Sequence, residues 1–316
     1  MKWIELSTVS FPGLGLEMNL PAGFAIGSVE LRFYSLILAL GLLLACIYGL
    51  RRKKAFGLTE DDVLDGVLWI VPFAVICARA YYCAFEWERF AQNPVSVLYI
   101  WQGGIAIYGG VIGAAIGIVV YCLCKKISIP TALDITAISF LIGQAIGRWG
   151  NFFNREAFGA ETGSFLRMGL LQQVTDSGSI ISSTQMYYYH PTFLYESLWN
   201  AAGFALLHFW SKRRKYDGQV ALLYVAWYGL GRTFIEGLRT DSLWWGPFRV
   251  SQMLAAVSCF AAVLMLVIFA FRDHDPAKLY VNRVAAKAEQ EEYELVEDSE
   301  ETEEEWVEET EESEEA

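Results

Sequence analysis

Residues 31–54 read LRFYSLILALGLLLACIYGLRRKK, an apolar run followed directly by four basic residues. A helix needs about 20 mostly apolar residues to cross the hydrocarbon core of a membrane. Residues 31–50 have that length, and lysine and arginine collect at the cytoplasmic end of such helices. This stretch therefore predicts a membrane-spanning helix that ends in the cytoplasm.

Six further stretches have the same character. The seven predicted spans cover residues 31–50, 63–85, 104–124, 131–150, 191–210, 219–237 and 250–271. Basic residues follow spans one, three, five and seven, at residues 51–54, 125–126, 212–215 and Arg272. All four groups fall on one side of a seven-span chain, which makes that side cytoplasmic. We predict an all-α polytopic membrane protein with seven transmembrane helices, the N-terminus outside and the C-terminus in the cytoplasm.

The charge of the chain divides it into a body and a tail. The 316 residues are 54% hydrophobic and carry a formal net charge of −12. Residues 289–316 hold 17 acidic residues and no lysine or arginine, so the rest has 24 basic residues against 19 acidic ones. We predict an external N-terminal segment (1–30), a membrane body (31–272) with a small external head at about 155–189, and a disordered cytoplasmic tail (273–316).

Several classes of function are excluded or unsupported by the sequence. The apolar runs exclude an ordinary water-soluble domain, and no basic surface module indicates a nucleic-acid partner. The six cysteines lie in or beside apolar runs without zinc-site spacing, as small hydrophobic side chains do. No nucleotide loop or Ser-His-Asp arrangement is visible, and we expect no metal and no cofactor.

Polar residues gather at one end of the predicted spans. Charged side chains at membrane depth cost about 2.5–3.5 kcal/mol at the centre of a helix, so they are candidates for function. In the predicted topology these residues face the outer leaflet, and Arg232, Glu236 and Arg239 share a helix face by their spacing. The candidates are Arg148, Asn151, Asn154 and Glu156 around the end of span four, His190, Tyr195 and Glu196 at the start of span five, and Arg232, Glu236 and Arg239 at the end of span six.

The chemistry of these clusters favours an anionic lipid head group. Arginine holds a phosphate through paired donors and stays charged in a poorly hydrated site. We predict that Arg148 and Arg232 hold the phosphate; a purely structural set of ion pairs is the alternative. The glycines of residues 103–117 either allow close helix packing or admit an acyl chain, and Arg79 either faces the substrate or supports the structure.

The segment GRWGNFFNREAFG (residues 147–159) resembles the signature of the bacterial prolipoprotein diacylglyceryl transferase family. The pattern G-R-x-G-N-F-x-N-x-E-x-x-G matches at every fixed position. The resemblance covers about residues 25–271, with its motifs in the family order. Its other segments are Arg32-Phe33-Tyr34, Gly103-Gly104…Gly109-Gly110, His190-Pro191…Tyr195-Glu196 and Arg232…Glu236…Arg239.

The resemblance implies an activity and roles for single residues. The family moves the diacylglyceryl group of phosphatidylglycerol onto the lipobox cysteine of an exported prolipoprotein and releases glycerol phosphate. It implies a multi-pass protein of the bacterial plasma membrane, with its active site facing the outer leaflet and no soluble cofactor. The expected partners are phosphatidylglycerol, prolipoprotein signal peptides with a lipobox cysteine, and membrane lipids. Arg148 matches the phosphatidylglycerol-binding arginine, Arg232 a second essential arginine, Tyr34 a tyrosine near the lipid cavity, and Asn151, Glu156, Gly159, Glu236 and Arg239 other positions in or near the site.

One position departs from the family pattern. Many members carry a histidine with a catalytic role where this chain has Tyr108, and a tyrosine with a pKa near 10 is a poor base at neutral pH. A cysteine thiol attacks well only after losing its proton. We hypothesise that this proton loss relies on Glu156, on His190 or on the positive potential of Arg148 and Arg232. Tyr108 would then orient the substrate through its hydroxyl.

Two other functions remain as alternatives. A phospholipid transporter predicts polar residues spread through the membrane or on both faces, whereas here they gather on one side. A non-catalytic lipid-binding membrane protein is expected to lack Arg148 or Arg232, and both are present.

Overall fold

Seven helices of 18 or more residues dominate the part of the chain that the structure describes. The computed structural model describes residues 2–27, 29–100, 103–175, 179–240 and 244–295. The helices are α1 (Phe33–Arg52), α2 (Glu60–Phe85), the short α3 (Trp87–Ala91), α4 (Ile107–Lys125), α5 (Ile129–Asn154), α6 (Thr192–Ser211), α7 (Gln219–Glu236) and α8 (Val250–Ala270). Each long helix coincides with one predicted span to within a few residues.

Five of these helices are long and apolar enough to cross a membrane: α1, α2, α4, α5 and α8. The prediction of a polytopic membrane protein is therefore confirmed. Helices α6 and α7 are outside that set, and they carry buried polar residues, among them Glu196, Asn200 and Glu236.

The glycines of α4 serve helix packing. A Cβ atom on Gly109 would lie 2.4 Å from the Cβ of Tyr81, and one on Gly113 would lie 2.5 Å from the Cβ of Cys77. Real Cβ atoms do not approach other carbon atoms so closely, so only glycine allows α4 and α2 to pack at this distance. Close helix contact is thus the role of Gly109 and Gly113.

The described residues also contain nine strands, so the fold is mostly helical rather than all-α as predicted. They are β1 (Lys2–Ile4), β2 (Ser7–Phe11), β3 (Leu16–Leu20), β4 (Gly23–Ile26), β5 (Val29–Arg32), β6 (Met168–Val174), β7 (Ile180–Tyr189), β8 (Trp244–Trp245) and β9 (Phe248–Arg249). They form sheets of order β1-β4-β5, β3-β2-β6-β7 and β8-β9. The prediction missed them because most of these strands have only two to five residues, and one pairing, β2 with β6, joins segments that are distant in sequence.

The four-stranded sheet joins two segments that the sequence suggests are separate. Strand β2 pairs antiparallel with β6, with Val9 opposite Leu170. Val9, Leu170, Phe158 and Tyr189 are almost fully buried in one apolar cluster beneath it. Strands β2 and β3 of the N-terminal segment therefore share one sheet with β6 and β7, and Val9 and Phe11 share one core with residues of the predicted head.

The C-terminal segment begins with a helix. Residues 280–295 are helical, and the backbone N–H of Tyr280 donates to the carboxylate of Asp217 at 2.8 Å. This part differs from the disordered tail that the composition of residues 273–316 predicts. The remainder of the predicted tail, residues 296–316, lies outside the described residues.

Candidate active site

Three arginines from separate segments meet at one buried carboxylate. Glu196, near the start of α6, is 4% exposed. Its Oε2 lies 2.6 Å from Nη2 of Arg148 and 3.3 Å from Nη1 of Arg232, and its Oε1 lies 3.4 Å from Nη1 of Arg239. We call Arg148, Arg232, Arg239 and Glu196 the arginine cluster. It joins the end of α5, the start of α6 and the end of α7.

A second buried carboxylate extends the cluster. Oε2 of Glu236 lies 2.5 Å from Nη2 of Arg232, one helical turn earlier on α7, and Glu236 is 1% exposed. Among the described residues, three guanidinium groups thus face two carboxylates, which leaves this set of side chains with a net positive charge. An electrostatic attraction is stronger in such a poorly hydrated site than in water, so the cluster is suited to an added anion.

The position of Arg239 corrects one detail of the sequence analysis. Helix α7 ends at Glu236, and Arg239 lies in the turn that follows, where its N–H donates to the carbonyl of Glu236. Arg239 therefore does not share a helix face with Arg232. It reaches Glu196 from the turn.

Glu156 is held by two asparagines at the end of α5. The side-chain amides of Asn151 and Asn154 donate to Oε1 of Glu156 at 2.9 and 3.3 Å. Oδ1 of Asn151 lies 3.5 Å from Nη1 of Arg148, which connects this group to the arginine cluster. Among the described residues, Oε2 of Glu156 has no hydrogen-bond partner and remains open to another group.

A residue in the left-handed backbone conformation makes this arrangement possible. Arg155 ends α5 with a φ of 54°, and the N–H of Glu156 then donates to the carbonyl of Asn151 at 3.1 Å. This reversal turns Glu156 back towards the last turn of the helix. Arg155 is buried, donates to the carbonyl of Leu20 and pairs with Glu5 at 3.7 Å, so the N-terminal segment supports the turn.

Gly159 joins the segments on either side of the site. Its N–H donates to the carbonyl of His190 at 2.9 Å, and the next residue, Ala160, donates to the carbonyl of Leu238 at 2.7 Å. A Cβ atom on Gly159 would lie 2.7 Å from the Cβ of His190 and 2.9 Å from the oxygen of Leu238. The signature glycine is therefore required by close backbone packing next to Arg239.

His190 and Tyr195 contact each other at the start of α6. Nδ1 of His190 lies 3.4 Å from the hydroxyl of Tyr195. Burial lowers the pKa of His190 below its ordinary value because desolvation disfavours the charged ring. The ring is neutral at pH 7, but its hydrogen-bond partner is Tyr195 rather than a carboxylate.

The two predicted tyrosines lie in different places. Tyr34 packs against α5 next to Asn151, since a Cβ atom on Gly150 would lie 2.8 Å from its ring. Tyr108, at the start of α4, has its hydroxyl 3.1 Å from that of Ser251 at the start of α8. Among the described residues, the Tyr108 hydroxyl is thus bonded to Ser251 of α8 and to no member of the arginine cluster.

The structure also settles the role of Arg79. This buried guanidinium donates to the backbone carbonyls of Ser96, Val97, Gly103 and Gly104 at 2.6–2.9 Å and lies over the ring of Phe90. It organises the chain between α3 and α4. Of the two readings of Arg79, the structural one is correct.

Arg249 is a functional candidate that the sequence analysis missed. It donates to the backbone carbonyl of Glu236 and lies over the ring of Trp244, with 4.9 Å between the guanidinium carbon and the ring centre. Its position directly before α8, at the predicted outer end of span seven, was the available signal.

Together these features define a polytopic membrane protein with a buried, net positive site next to an open carboxylate. The family model of prolipoprotein diacylglyceryl transferase matches residues 21–268. The chain therefore belongs to the prolipoprotein diacylglyceryl transferase family.

Named relatives are similar over most of the chain. A phosphatidylglycerol–prolipoprotein diacylglyceryl transferase of Limosilactobacillus reuteri is 42% identical over 278 residues, covering 86% of this chain and 98% of the relative. The protein of that name from Listeria innocua is 41% identical over 256 residues, covering 81% and 91%. The one from Bacillus cytotoxicus is 43% identical over 244 residues, covering 77% and 89%.

Proposed function

We propose that this protein transfers the diacylglyceryl group of phosphatidylglycerol to the lipobox cysteine of exported prolipoproteins. The observation that carries the proposal is the convergence of Arg148, Arg232 and Arg239 on Glu196. Guanidinium groups held together with a net positive charge suit the phosphate of an anionic lipid. Membership of the transferase family supports the same reaction.

The proposed setting is the bacterial plasma membrane, crossed by all seven long helices, with the site facing the outer leaflet. Basic residues lie at the ends of α1 and α4 and just after α6, as at a cytoplasmic surface. The arginine cluster lies at the opposite ends, where α5 and α7 finish and α6 begins. The sheet formed by β3, β2, β6 and β7 belongs to the same outer side and corresponds to the external head.

Glu196 has a different role from a direct substrate contact. It holds the three guanidiniums in place before the lipid arrives, which lowers the cost of ordering them when the phosphate binds. The phosphate oxygens then take the donors of Arg148 and Arg232 that Glu196 and Glu236 leave open. Tyr34, packed beside Asn151, borders the space for the glyceryl group.

The reaction forms a thioether and breaks one carbon–oxygen bond. The cysteine S–H gives its proton to Oε2 of Glu156. The sulfur then attacks the carbon of the diacylglyceryl group that is bonded to the phosphate oxygen. The electron pair of the breaking C–O bond goes to the phosphate oxygen, and glycerol phosphate leaves. Arg148 and Arg232 stabilise the charge that develops on the phosphate.

Glu156 is the proposed base because its geometry suits proton transfer better than that of His190, and the positive potential of Arg148 and Arg232 assists it. Oε1 accepts both asparagine amides, which fixes the carboxylate and leaves Oε2 open. The ring of His190 is bonded to Tyr195, and Tyr108 is bonded to Ser251. A general base must lie within hydrogen-bond reach of its proton, and Glu156 adjoins the arginines that would hold the phosphate.

The test uses purified protein in detergent with phosphatidylglycerol and a lipobox peptide that carries one cysteine. We expect the peptide to gain the mass of one diacylglyceryl group and glycerol phosphate to appear in equal amount. A peptide with serine in place of cysteine is the control and should gain nothing. No mass gain, with phosphatidylglycerol still bound, would show that the protein binds lipid without transferring it.

The role of Glu156 has its own test. Glu156→Gln keeps the shape of the side chain but cannot take a proton at neutral pH, so we expect transfer to fall about 10²–10⁴-fold. Glu161→Gln makes the same change at a nearby exposed glutamate and should leave the rate within about twofold. If Glu156→Gln keeps the wild-type rate, Glu156 is not the base.

A further inference from the structure

Helices α6 and α7 are joined by a reciprocal pair of tryptophans. The indole N–H of Trp199 donates to the backbone carbonyl of Trp227 at 3.0 Å, and the indole N–H of Trp227 donates to the carbonyl of Trp199 at 3.0 Å. The two rings stack with their centres 4.3 Å apart and their planes 17° apart. We call Trp199 and Trp227 the tryptophan pair.

Each tryptophan lies on a glycine of the opposite helix. A Cβ atom on Gly231 would lie 2.2 Å from Nε1 of Trp199, and one on Gly203 would lie 2.4 Å from Nε1 of Trp227. Both helices therefore carry the same pattern, W-x-x-x-G, at residues 199–203 and 227–231. The two copies meet in antiparallel register, which gives the contact a local twofold symmetry.

The tryptophan pair lies next to the arginine cluster. Trp199 follows Glu196 by three residues, roughly 4.5 Å along the helix axis. Gly231, which Trp199 covers, directly precedes Arg232. The contact between the two helices is thus set beside the Glu196–Arg232 ion pair.

The hydrogen bonds and stacking of the tryptophan pair restrict how α6 and α7 can pack against each other. An indole N–H inside a membrane protein needs an acceptor, and each one here finds it only at the present distance and rotation of the helices. The two indole rings also stack on each other and lie directly on glycine backbone, which leaves each tryptophan few alternative rotamers. A displacement of about 1 Å in a catalytic arrangement can cost 10²-fold in rate.

We propose that the tryptophan pair is a positioning device that sets the distance and rotation of α6 against α7. It thereby keeps Glu196 in contact with Arg232, so that Arg232 is in place to bind the lipid phosphate. This inference rests on the proposed transferase function. Neither tryptophan is proposed to touch the substrate.

The first test is a double-mutant cycle with Trp199→Phe and Trp227→Phe, which keep an aromatic ring and remove the donor. We expect each single variant to lower kcat about 10- to 100-fold, with a small change in Tm. The double variant should be little worse than either single one, because the two residues act as a unit. If the two residues contributed independently, the losses in kcat of the two single variants would multiply in the double variant.

Gly231→Ala tests the same contact from the other side. Its new methyl group displaces the indole of Trp199, so we expect Tm and kcat both to fall. Adding Trp199→Phe relieves the crowding, so Tm should recover while kcat stays low. The matched control is Gly113→Ala, which crowds Cys77 between α4 and α2 and should lower Tm with kcat of the folded protein unchanged.

A binding measurement separates this inference from the proposed function. The affinity for dioleoylphosphatidylglycerol is measured in detergent for wild type and the two Phe variants, and we expect it to weaken at least tenfold in the variants. One outcome would overturn the positioning role alone. In that outcome the wild type transfers the lipid, and both Phe variants keep the wild-type affinity and kcat. No transfer by the wild type, with affinity lost in the Phe variants, would overturn the proposed function and leave the positioning role standing.

Discussion

Nη2 of Arg148 lies 2.6 Å from Oε2 of Glu196, a shorter distance than those from Glu196 to Arg232 and Arg239, at 3.3 and 3.4 Å. The two side chains come from the end of α5 and the start of α6. A second nitrogen of Arg148, Nη1, lies 3.5 Å from Oδ1 of Asn151. Arg148 therefore joins the carboxylate at the centre of the cluster to the group that holds Glu156.

This dual contact predicts a large effect of Arg148→Lys. Lysine keeps the positive charge but has no planar fork, so it cannot serve Glu196, Asn151 and a phosphate together. We expect kcat/KM to fall at least about 100-fold in the peptide transfer assay. Arg213→Lys, at an exposed position after α6, is the matched control and should behave as wild type. A mild effect at Arg148 would show that charge alone is sufficient.

Glu196→Gln should destabilise the protein. Removing the buried carboxylate leaves three partly buried guanidiniums without their common partner. Breaking a buried pair in this way costs up to about 3–5 kcal/mol. A bound phosphatidylglycerol supplies a new anion, so we expect it to raise the Tm of this variant more than that of wild type. Equal shifts in a detergent melting experiment would argue against phosphate binding at the cluster.

Tyr108→Phe should have a small effect. Its hydroxyl bonds to Ser251 and not to the arginine cluster, so we expect turnover within about fivefold of wild type, as for the loss of one neutral hydrogen bond. The shape of the pH–rate profile should not change. Ser251→Ala removes the other partner of the same hydrogen bond and should have the same small effect on turnover. Loss of turnover in Tyr108→Phe with normal turnover in Glu156→Gln and His190→Gln would overturn the proposed chemistry.

Gly159→Ala should damage the site through its backbone. The added methyl group would collide with His190 and with the carbonyl of Leu238, and so disturb the turn that carries Arg239. We expect both Tm and kcat to fall, with kcat lowered more than tenfold. Gly163→Ala is the control, because a Cβ atom there meets open space. Equal behaviour of the two variants would contradict the packing argument.

His190 should contribute to the pH dependence of stability. Burial lowers the pKa of His190 in the folded state, so the unfolded chain binds its proton more readily. Its contribution is complete above the ordinary histidine pKa of about 6.5, and stability falls as pH drops below that value. We expect Tm to decrease less between about pH 6.5 and 5 in His190→Gln than in wild type. His274→Gln controls for loss of a histidine elsewhere.

Much of this structure could be predicted because membrane helices are encoded locally. An apolar run such as residues 33–52 needs no distant partner to satisfy its backbone, so its position is visible in the sequence. The gathering of Arg148, Glu196 and Arg232 followed from helix direction alone. Their contact distances did not, because these depend on how α5, α6 and α7 pack together.

The strands and some single roles required the tertiary structure. Residues 7–11 show little pattern, and their pairing with β6, about 160 residues later in the chain, could not be seen from the sequence. Arg239 was placed on a helix face because the spacing from Arg232 was followed past Gly237, although a glycine is a helix stop signal and α7 ends just before it. The contact of Tyr108 with Ser251 joins helices far apart in the chain, which spacing along one helix cannot reveal.

Strand β2 has a consequence for how the protein is made. Its residue Val9 pairs with Leu170, so β2 must wait for a partner that the ribosome adds much later. At about 5–20 residues per second, this delay is roughly 10–30 s. During that time β3 can cover one edge of β2, while the other edge is an open template for a wrong strand. Biogenesis of this protein therefore has a late step, in which an early-made strand is completed only after four long helices have been synthesised.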